Sequence, residues 1–294
     1  METYQSNITQ TIIDTINSIF NNLFSSIDNN LYSILDKLLF INEDILKESF
    51  FKNLLGSSSS KSILIIANSL LFGFLIYYCY KLLLSHLSYI ELEKPNQFIF
   101  KLLILGICTN CSYFICEKIL SINYLISASI CQVGKNIFGT SISFSELILK
   151  LNSVISIEQT SFNIFSVDGI IKSFISFGLF NLVFSYALRY ILLKVFVAIT
   201  PFSILTLINR STSWFFKTWL RTFLGLLLLQ SFVPIILLVI FSLDFNSVDL
   251  FSKFLYIGGI FALSKSNSYI RELIGGISTD MSLNFAGLQN KFKL

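Results

Sequence analysis

One apolar run limits what this chain can fold into. Residues 62 to 85 read SILIIANSLLFGFLIYYCYKLLLS, in which Lys81 is the single charged residue. As an α-helix this run is about 36 Å long, enough to cross a bilayer core of about 30 Å. Further apolar runs lie at about 98–120, 170–208, 222–243 and 250–263. The pattern predicts an all-α fold, a polytopic transmembrane helix bundle of about five spans.

Composition supports a membrane protein. The chain is 54% hydrophobic and only 13% charged, whereas soluble domains carry about 25% charged residues. The net charge of +4 is too small to argue for nucleic-acid binding. In a membrane protein the placement of basic residues matters more than their sum.

The N-terminal region, residues 1–60, has a helical pattern of a different kind. Its first 55 residues contain neither glycine nor proline, and the opposite face is polar. We predict an amphipathic helical region, with a break near 28–30, followed by a Ser-rich linker at 57–60. The helix packs either on the protein's own membrane domain or on a partner subunit. Because residues 1–10 are polar, we expect no cleavable signal peptide. The apolar residues recur at Ile8, Ile12, Ile16, Ile19, Leu23, Ile27, Leu31, Ile34 and Leu38.

The rest of the chain divides into four regions. We predict a first membrane helix pair at 61–120 and a partly helical extramembrane region at 121–169. The second of these contains a capping-box pattern at Ser143 to Glu146. Membrane helices follow at 170–264 and a cytoplasmic tail at 265–294. The run 170–208 is too long for one simple span, so it is one kinked helix, a span plus a re-entrant piece, or two spans.

Basic residues predict the orientation. They gather around the first connector (Lys81, Lys94, Lys101), in the loop 209–221 and in the tail, whereas 244–249 has none. The positive-inside rule places the three basic regions in the cytoplasm. The simplest topology is a multi-pass protein of the cytoplasmic membrane, with the N-terminus outside and the C-terminus cytoplasmic. Six spans with a cytoplasmic N-terminus is the alternative.

Three features of 170–221 are candidate functional positions. Arg189 and Lys194 are charges inside a long apolar stretch, so they either serve function or reach a membrane boundary. Pro201 removes a helix hydrogen bond and is a candidate kink. The predicted loop 209–221 is either an interfacial aromatic belt or a docking loop for a partner. Its candidate contact residues are Arg210, Trp214, Phe216, Lys217, Trp219 and Arg221.

Two glycine pairs are further candidates. Gly258 and Gly259 suit close helix contact in the last span. Gly275 and Gly276 follow an apolar segment and are typical of a helix stop or a subunit-contact turn.

No residue pattern indicates an enzyme. Ser nucleophile, P-loop and GxGxxG signatures are absent. The single histidine, His86, has no ligand cluster beside it, and Cys108 and Cys111 form a CxxC inside an apolar helix. We interpret the cysteines as small buried hydrophobes and expect no metal and no cofactor.

The stretch from Val197 to Leu229, VAITPFSILTLINRSTSWFFKTWLRTFLGLLLL, resembles the TrbL-type polytopic subunit of bacterial conjugative type IV secretion systems. That family shows a span ending in a proline, here Pro201, and a Phe-x-x-Trp-Leu element, here Phe216 to Leu220. The later YIGGIFALSKSNSYIRELIGGISTD is similar to versions from single-membrane bacteria. The resemblance covers about 170–285.

The resemblance implies a channel or scaffold subunit of a DNA-transfer machine. Such a subunit is a homo-oligomer in membrane lipid beside other secretion-machine subunits, including an ATPase. It makes transient contact with transferred DNA and has no small-molecule substrate. The alternative is a small-solute transporter or permease, which predicts a midplane pocket lined by polar residues. A holin-like pore is a third possibility, but such proteins are usually much smaller.

Overall fold

The computed structural model describes residues 11–19, 22, 34–55, 62–88, 94–154, 166–243 and 250–274. All regular structure in these residues is helical, which confirms the all-α polytopic bundle. Four helices in the described part of the chain are long and apolar enough to cross a membrane, so the protein is membrane-embedded. They are Ile63–Ser85, Ser112–Phe138, Gly169–Ile208 and Ser213–Phe241.

The first part of the bundle is a broken helical segment, residues 34–55, which we name the inner segment. Residues 34–39 are helical, 40–43 are not, and α1 (Asp44–Lys47) and α2 (Ser49–Leu55) follow. Asn42 Oδ1 accepts a hydrogen bond from the backbone N–H of Asp44 (3.0 Å), a local turn that leads into α1. The predicted break at 28–30 and the linker at 57–60 lie outside the described residues.

Two helices then form a hairpin, α3 (Ile63–Ser88) and α4 (Pro95–Asn110). Pro95 is the first residue of α4, where its missing N–H costs no helix bond. The rings of Tyr78 and Phe98 stack with centroids 3.8 Å apart. The side chains of Asn68 and Asn110 exchange two hydrogen bonds of 3.1 Å, which tie the other end of the pair.

The structure differs from the predicted division at 98–138. The chain breaks at Cys111, and a new helix, α5 (Ser112–Phe138), continues as a candidate span through residues predicted to be extramembrane. Polar residues such as Asn123 and Ser127 lower the hydropathy of this stretch, but both are buried in the bundle. A window average counts a polar residue equally whichever face of the helix carries it.

A short helix, α6 (Phe144–Val154), lies where the capping-box pattern predicts one. Ser143 Oγ accepts from the backbone N–H of Glu146 (3.1 Å), which is the capping bond that the pattern requires. A second cap comes from the inner segment, because the carboxylate of Asp36 accepts from the N–H of Phe144 (2.9 Å) and from Ser145 Oγ (2.8 Å).

The run 170–208 is one continuous helix, α7 (Val167–Leu205), that ends in a 3₁₀ turn at Thr206–Ile208. Of the three alternatives, the structure therefore has the single long helix. Ser166 caps its start by accepting from Gly169 N–H (3.0 Å). Pro201 is buried within its last turns, shortly before the 3₁₀ turn.

The last two helices are α8 (Ser213–Phe241) and α9 (Leu250–Ile274). The prediction of a loop over 209–221 is wrong for most of its length, because α8 begins at Ser213. The mixture of Trp, Phe, Lys and Arg at the start of α8 is typical of an interfacial loop. The same residues are also compatible with a helix. α9 carries Lys253 and Lys265 and is not among the four candidate spans. The structure thus gives four candidates in the described residues where the sequence predicts about five spans.

The inner segment packs on the membrane helices of its own chain. Its buried side chains join two apolar clusters, one with α6, α7, α8 and α9 and one with α5, α7 and α8. The described part of the amphipathic region therefore packs on the protein's own membrane domain, the first of the two alternatives. Its buried residues are Leu35, Leu39, Ile41, Ile45, Leu46, Phe51 and Leu55.

The adjacent glycines of α9 offer a matched test of helix packing. A Cβ added to Gly259 would lie 2.9 Å from Ile240 Cδ1 and Cγ1 on α8, whereas one added to Gly258 meets nothing within 4 Å. Both substitutions by alanine gain the same helix propensity, about 1 kcal/mol. We expect G259A to unfold more easily than G258A by about 1–3 kcal/mol, because β-branched Ile240 must shift. Thermal melting in detergent measures this, and equal stability of the two variants would contradict the close contact.

Candidate functional site

Arg189 is the centre of the candidate site. It lies in α7, its side chain is 0% exposed, and it is the largest fully buried side chain in the described residues. An arginine at the centre of a membrane helix costs about 2.5–3.5 kcal/mol on insertion scales. Such a residue persists only if its donors are satisfied within the protein.

The guanidinium donates to neutral oxygens of two other parts of the chain. Its Nε donates to the carbonyl of Leu226 in α8 (2.8 Å). Its Nη1 donates to the carbonyls of Leu39 (3.1 Å) and Leu38 (3.4 Å) in the inner segment. Its Nη2 donates to Gln230 Oε1 in α8 (3.4 Å). Arg189 therefore joins α7, α8 and the inner segment at one point.

The break in the inner segment explains why these carbonyls are available. The last carbonyls of a helix have no partner within that helix and carry partial negative charge. Residues 34–39 end a helix that packs in the bundle, where Leu39 is buried and Leu38 half-buried. The Leu39 carbonyl also accepts from the N–H of Ile41 (3.1 Å). A buried cation with several donors is a suitable partner for these carbonyls.

Gln230 extends the site into a polar layer. Its Nε2 donates to the carbonyl of Ile41 (2.9 Å) and to Ser127 Oγ in α5 (3.2 Å). One residue further on, Ser231 Oγ lies 3.5 Å from Asn123 Oδ1, also in α5. Tyr113 OH, at the start of α5, donates to the carbonyl of Leu46 (3.1 Å). Side chains of α5, α7 and α8 thus donate hydrogen bonds to backbone carbonyls of the inner segment.

If α8 crosses the membrane, its length places this layer within the core. A core of about 30 Å takes about 20 helical residues, and α8 extends from Ser213 to Phe241. A crossing that starts at Ser213 reaches residue 232, and one that ends at Phe241 starts at residue 222. Both contain Leu226 and Gln230, so the partners of Arg189 are inside the core wherever the boundary falls.

The other face of the inner segment is charged. Lys37, Asp44, Lys47, Glu48 and Lys52 are all exposed on it. Lys47 Nζ lies 2.8 Å from Asp44 Oδ1 and 3.3 Å from Glu43 Oε1. The segment that is buried against the polar layer therefore presents a charged surface on its outer side.

Lys194 lies beside this charged face. Its Nζ is 2.9 Å from both carboxylate oxygens of Glu48 and 4.7 Å from the ring centroid of Tyr190. The pair is partly exposed, with 26% of the Lys194 side chain and 44% of the Glu48 side chain accessible. The structure places the two candidate charges in different settings, Arg189 in a closed network and Lys194 in an ion pair with the inner segment.

The Phe-x-x-Trp-Leu element has an inner and an outer side. Trp219 is buried, donates from Nε1 to the carbonyl of Phe196 (3.0 Å) and stacks on Phe223 at 5.2 Å. Phe216 is half-buried, 5.6 Å from Trp219. Trp219 therefore packs on α7 and offers no docking surface. The exposed members of the predicted set are Arg210, Trp214, Lys217 and Arg221.

The remaining candidates are separate from the polar layer. Gly259 lies against Ile240, and Gly258 is exposed. Gly275 and Gly276 lie outside the described residues. The interpretation of the cysteines as buried hydrophobes holds only for Cys116, which is buried. Cys108 and Cys131 are half-buried, and Cys79 and Cys111 are exposed. In the described residues no three His, Cys, Asp or Glu side chains form a metal-binding group.

Several residues of the site were missed from sequence. Glu48, Ser127 and Gln230 bond to the candidate charges or to each other, and none stands out by motif. Gln230 does interrupt a mostly apolar run, LGLLLLQSFVPIILLVIF. A polar side chain within a membrane helix needs a hydrogen-bond partner, so its position could have identified it as a candidate. Lys172 and Lys253, which sequence reasoning did not select, are buried as well.

Comparison of the chain with protein-family models, with curated proteins and with solved structures finds no match. The site is therefore interpreted from its own geometry.

Arg189 and Lys194 offer a matched pair of charge removals on one helix. R189Q removes the guanidinium bonds to the carbonyls of Leu38, Leu39 and Leu226, of which Leu39 retains the N–H of Ile41 (3.1 Å). A buried carbonyl that loses its donor costs about 1–3 kcal/mol. K194Q removes a partly exposed ion pair, which is worth about 0–1 kcal/mol. We expect R189Q to lower the melting temperature in detergent strongly and K194Q to change it little. Equal effects would contradict the central role of Arg189.

Proposed function

We propose that this chain is a channel or scaffold subunit of a conjugative type IV secretion machine. The proposal rests on one observation, the charged outer face of the inner segment, combined with the resemblance at 197–229. It places the protein in the cytoplasmic membrane as a homo-oligomer and assigns it no catalytic role.

The charged face supports a wet surface at membrane depth. The inner segment contacts Leu226 and Gln230, which lie within the core for any crossing of α8. Non-helical backbone at this depth is tolerated where it is buried in protein or lines a water-filled cavity. Lipid around Lys37 would add a large desolvation cost. In this proposal the charged outer face of the inner segment lines a hydrated passage, and the non-helical residues 40–43 form part of its lining.

A passage for a macromolecule requires several copies of the chain. The apolar windows of α3 and α5 are only 17% and 22% buried, compared with 56% for α8. These helices have free apolar surface for lipid and for neighbouring subunits, while α8 is the packed centre. The proposed partners are membrane lipid, further copies of the chain and other secretion-machine subunits including an ATPase. Transferred DNA would touch the passage transiently, and no small-molecule substrate is expected.

The proposed orientation has the N-terminus outside and, with α9 as a fifth crossing beside the four candidate spans, the C-terminus cytoplasmic. Lys81, Lys94 and Arg210, from two of the basic regions, line one cavity at the same end of the bundle. The positive-inside rule favours the cytoplasm for such an end.

One observation favours the alternative of a small-solute transporter. Polar side chains of facing helices meet within the core at Arg189, Gln230 and Ser127, as a midplane substrate site would require. However, the donors of Arg189 already bond to protein oxygens. A substrate would have to displace the inner segment to reach them, so the secretion proposal is the stronger one.

The first test is a pull-down of the tagged protein in mild detergent from its native host, with mass spectrometry of the co-purified proteins. We expect a transfer ATPase and other membrane subunits of the machine. The matched control is the same tag on an unrelated polytopic protein of that membrane. Purification of the chain alone, in several detergents, together with specific solute uptake in vesicles, would overturn the secretion proposal in favour of the transporter.

The hydrated passage makes a separate prediction. In a background without the five native cysteines, we compare Lys37→Cys on the inner segment with Ile66→Cys on α3. Both positions are exposed in the single chain, but only Lys37 would face water. We expect a membrane-impermeant maleimide, added to both sides of the membrane, to label K37C and to leave I66C unlabelled. Protection of K37C equal to that of I66C would contradict a wet outer face.

A further inference from the structure

A cavity lies where α3, α4 and the turn after α7 meet. Its volume is about 520 Å³. The topology brings the later half of α3 and the start of α4, which are neighbours in sequence, together with the distant 3₁₀ turn. The lining residues are Phe74, Tyr77, Tyr78, Lys81, Lys94, Gln97, Phe98, Ile208, Asn209 and Arg210.

One side of this cavity is cationic. Lys81, Lys94 and Arg210 each come from a different segment, and the lining residues that the structure describes include no Asp or Glu. The amides of Gln97 and Asn209 add neutral hydrogen-bonding groups. The 16-residue helix α4 begins here, and the N-terminal end of a helix adds partial positive charge. The set is chemically suited to a phosphate group, which accepts several hydrogen bonds from Lys, Arg and amide donors.

The other side is apolar and aromatic. The stacked rings of Tyr78 and Phe98 are buried, and Phe74 and Ile208 lie beside them. Free phosphate has no apolar part that could contact this surface. A phospholipid has acyl chains close to its phosphate, and they could pack on it. Tyrosine and lysine also mark the membrane–water interface, where lipid headgroups lie.

We propose that this cavity binds an anionic phospholipid, with the headgroup phosphate held by Lys81, Lys94 and Arg210 and the first acyl carbons against Tyr78 and Phe98. Basic pockets between membrane helices on the cytoplasmic side bind such headgroups. The lipid would then bridge the α3–α4 hairpin to the end of α7 and stabilise their arrangement. This inference does not depend on the secretion proposal.

The test uses the full chain, purified in detergent, with added lipid. Phosphatidylglycerol is the anionic probe, phosphatidylcholine the zwitterionic probe, and inorganic phosphate and glycerol 3-phosphate are the soluble probes. Bound lipid is counted by native mass spectrometry, and the melting temperature is measured in parallel. The triple variant K81Q/K94Q/R210Q removes the three cations of the cavity.

The chain offers a control of equal charge. K217Q/R221Q/K265Q also removes three positive charges, from exposed positions of α8 and α9 outside the cavity. We expect wild type and control to retain phosphatidylglycerol and to melt at a higher temperature with it. We expect the cavity variant to bind it roughly tenfold or more weakly, since each basic residue near the membrane surface contributes to anionic-lipid binding.

Three results would overturn the proposal. Equal loss in the two triple variants would assign the effect to general surface charge. Equal binding of phosphatidylcholine and phosphatidylglycerol by wild type would show no preference for an anionic headgroup. Stabilisation by inorganic phosphate or glycerol 3-phosphate without any by phosphatidylglycerol would assign the cavity to a soluble phosphate instead of a lipid.

Discussion

The arrangement of this bundle depends on the hydrogen bonds of Arg189 to backbone carbonyls of the inner segment. A buried cation without a carboxylate partner and a helix end without water are each unfavourable alone. Together they satisfy one another, because Leu38 and Leu39 supply partial negative charge and Arg189 supplies directed donors. This pairing is what allows non-helical backbone at 40–43 to lie among membrane helices.

The same interaction gives the bundle two unlike sides. Apolar residues of the inner segment fill the space against α5, α7 and α8, and its charges other than Asp36, which caps α6, lie toward the outside. A single chain thus presents both lipid-compatible surface on α3 and a charged surface at membrane depth. An assembly that surrounds the charged side with further copies accounts for both, which is the physical basis of the proposed channel role.

Particular elements show where sequence reasoning succeeded and where it failed. The capping box at Ser143 predicted the start of α6, since a cap is a local interaction. Hydropathy failed at α5, because Asn123 and Ser127 are polar yet face the interior. It failed at Ser213 as well, because the aromatic first turns of α8 resemble an interfacial loop. Arg189 was visible from its apolar surroundings, but its partners Leu38 and Leu226 were not, since backbone carbonyls carry no sequence signal.

The amino-acid sequence by itself determined that the chain is a helical membrane protein and that Arg189 and Lys194 are costly charges. Both conclusions follow from the free energy of placing single side chains in lipid, which is a local property. Only the tertiary structure decided that residues 34–55 pack inside the bundle, that Arg189 bonds to carbonyls while Lys194 pairs with Glu48, and that three basic residues share one cavity. These features depend on which distant segments meet, and the packing of the helices sets that.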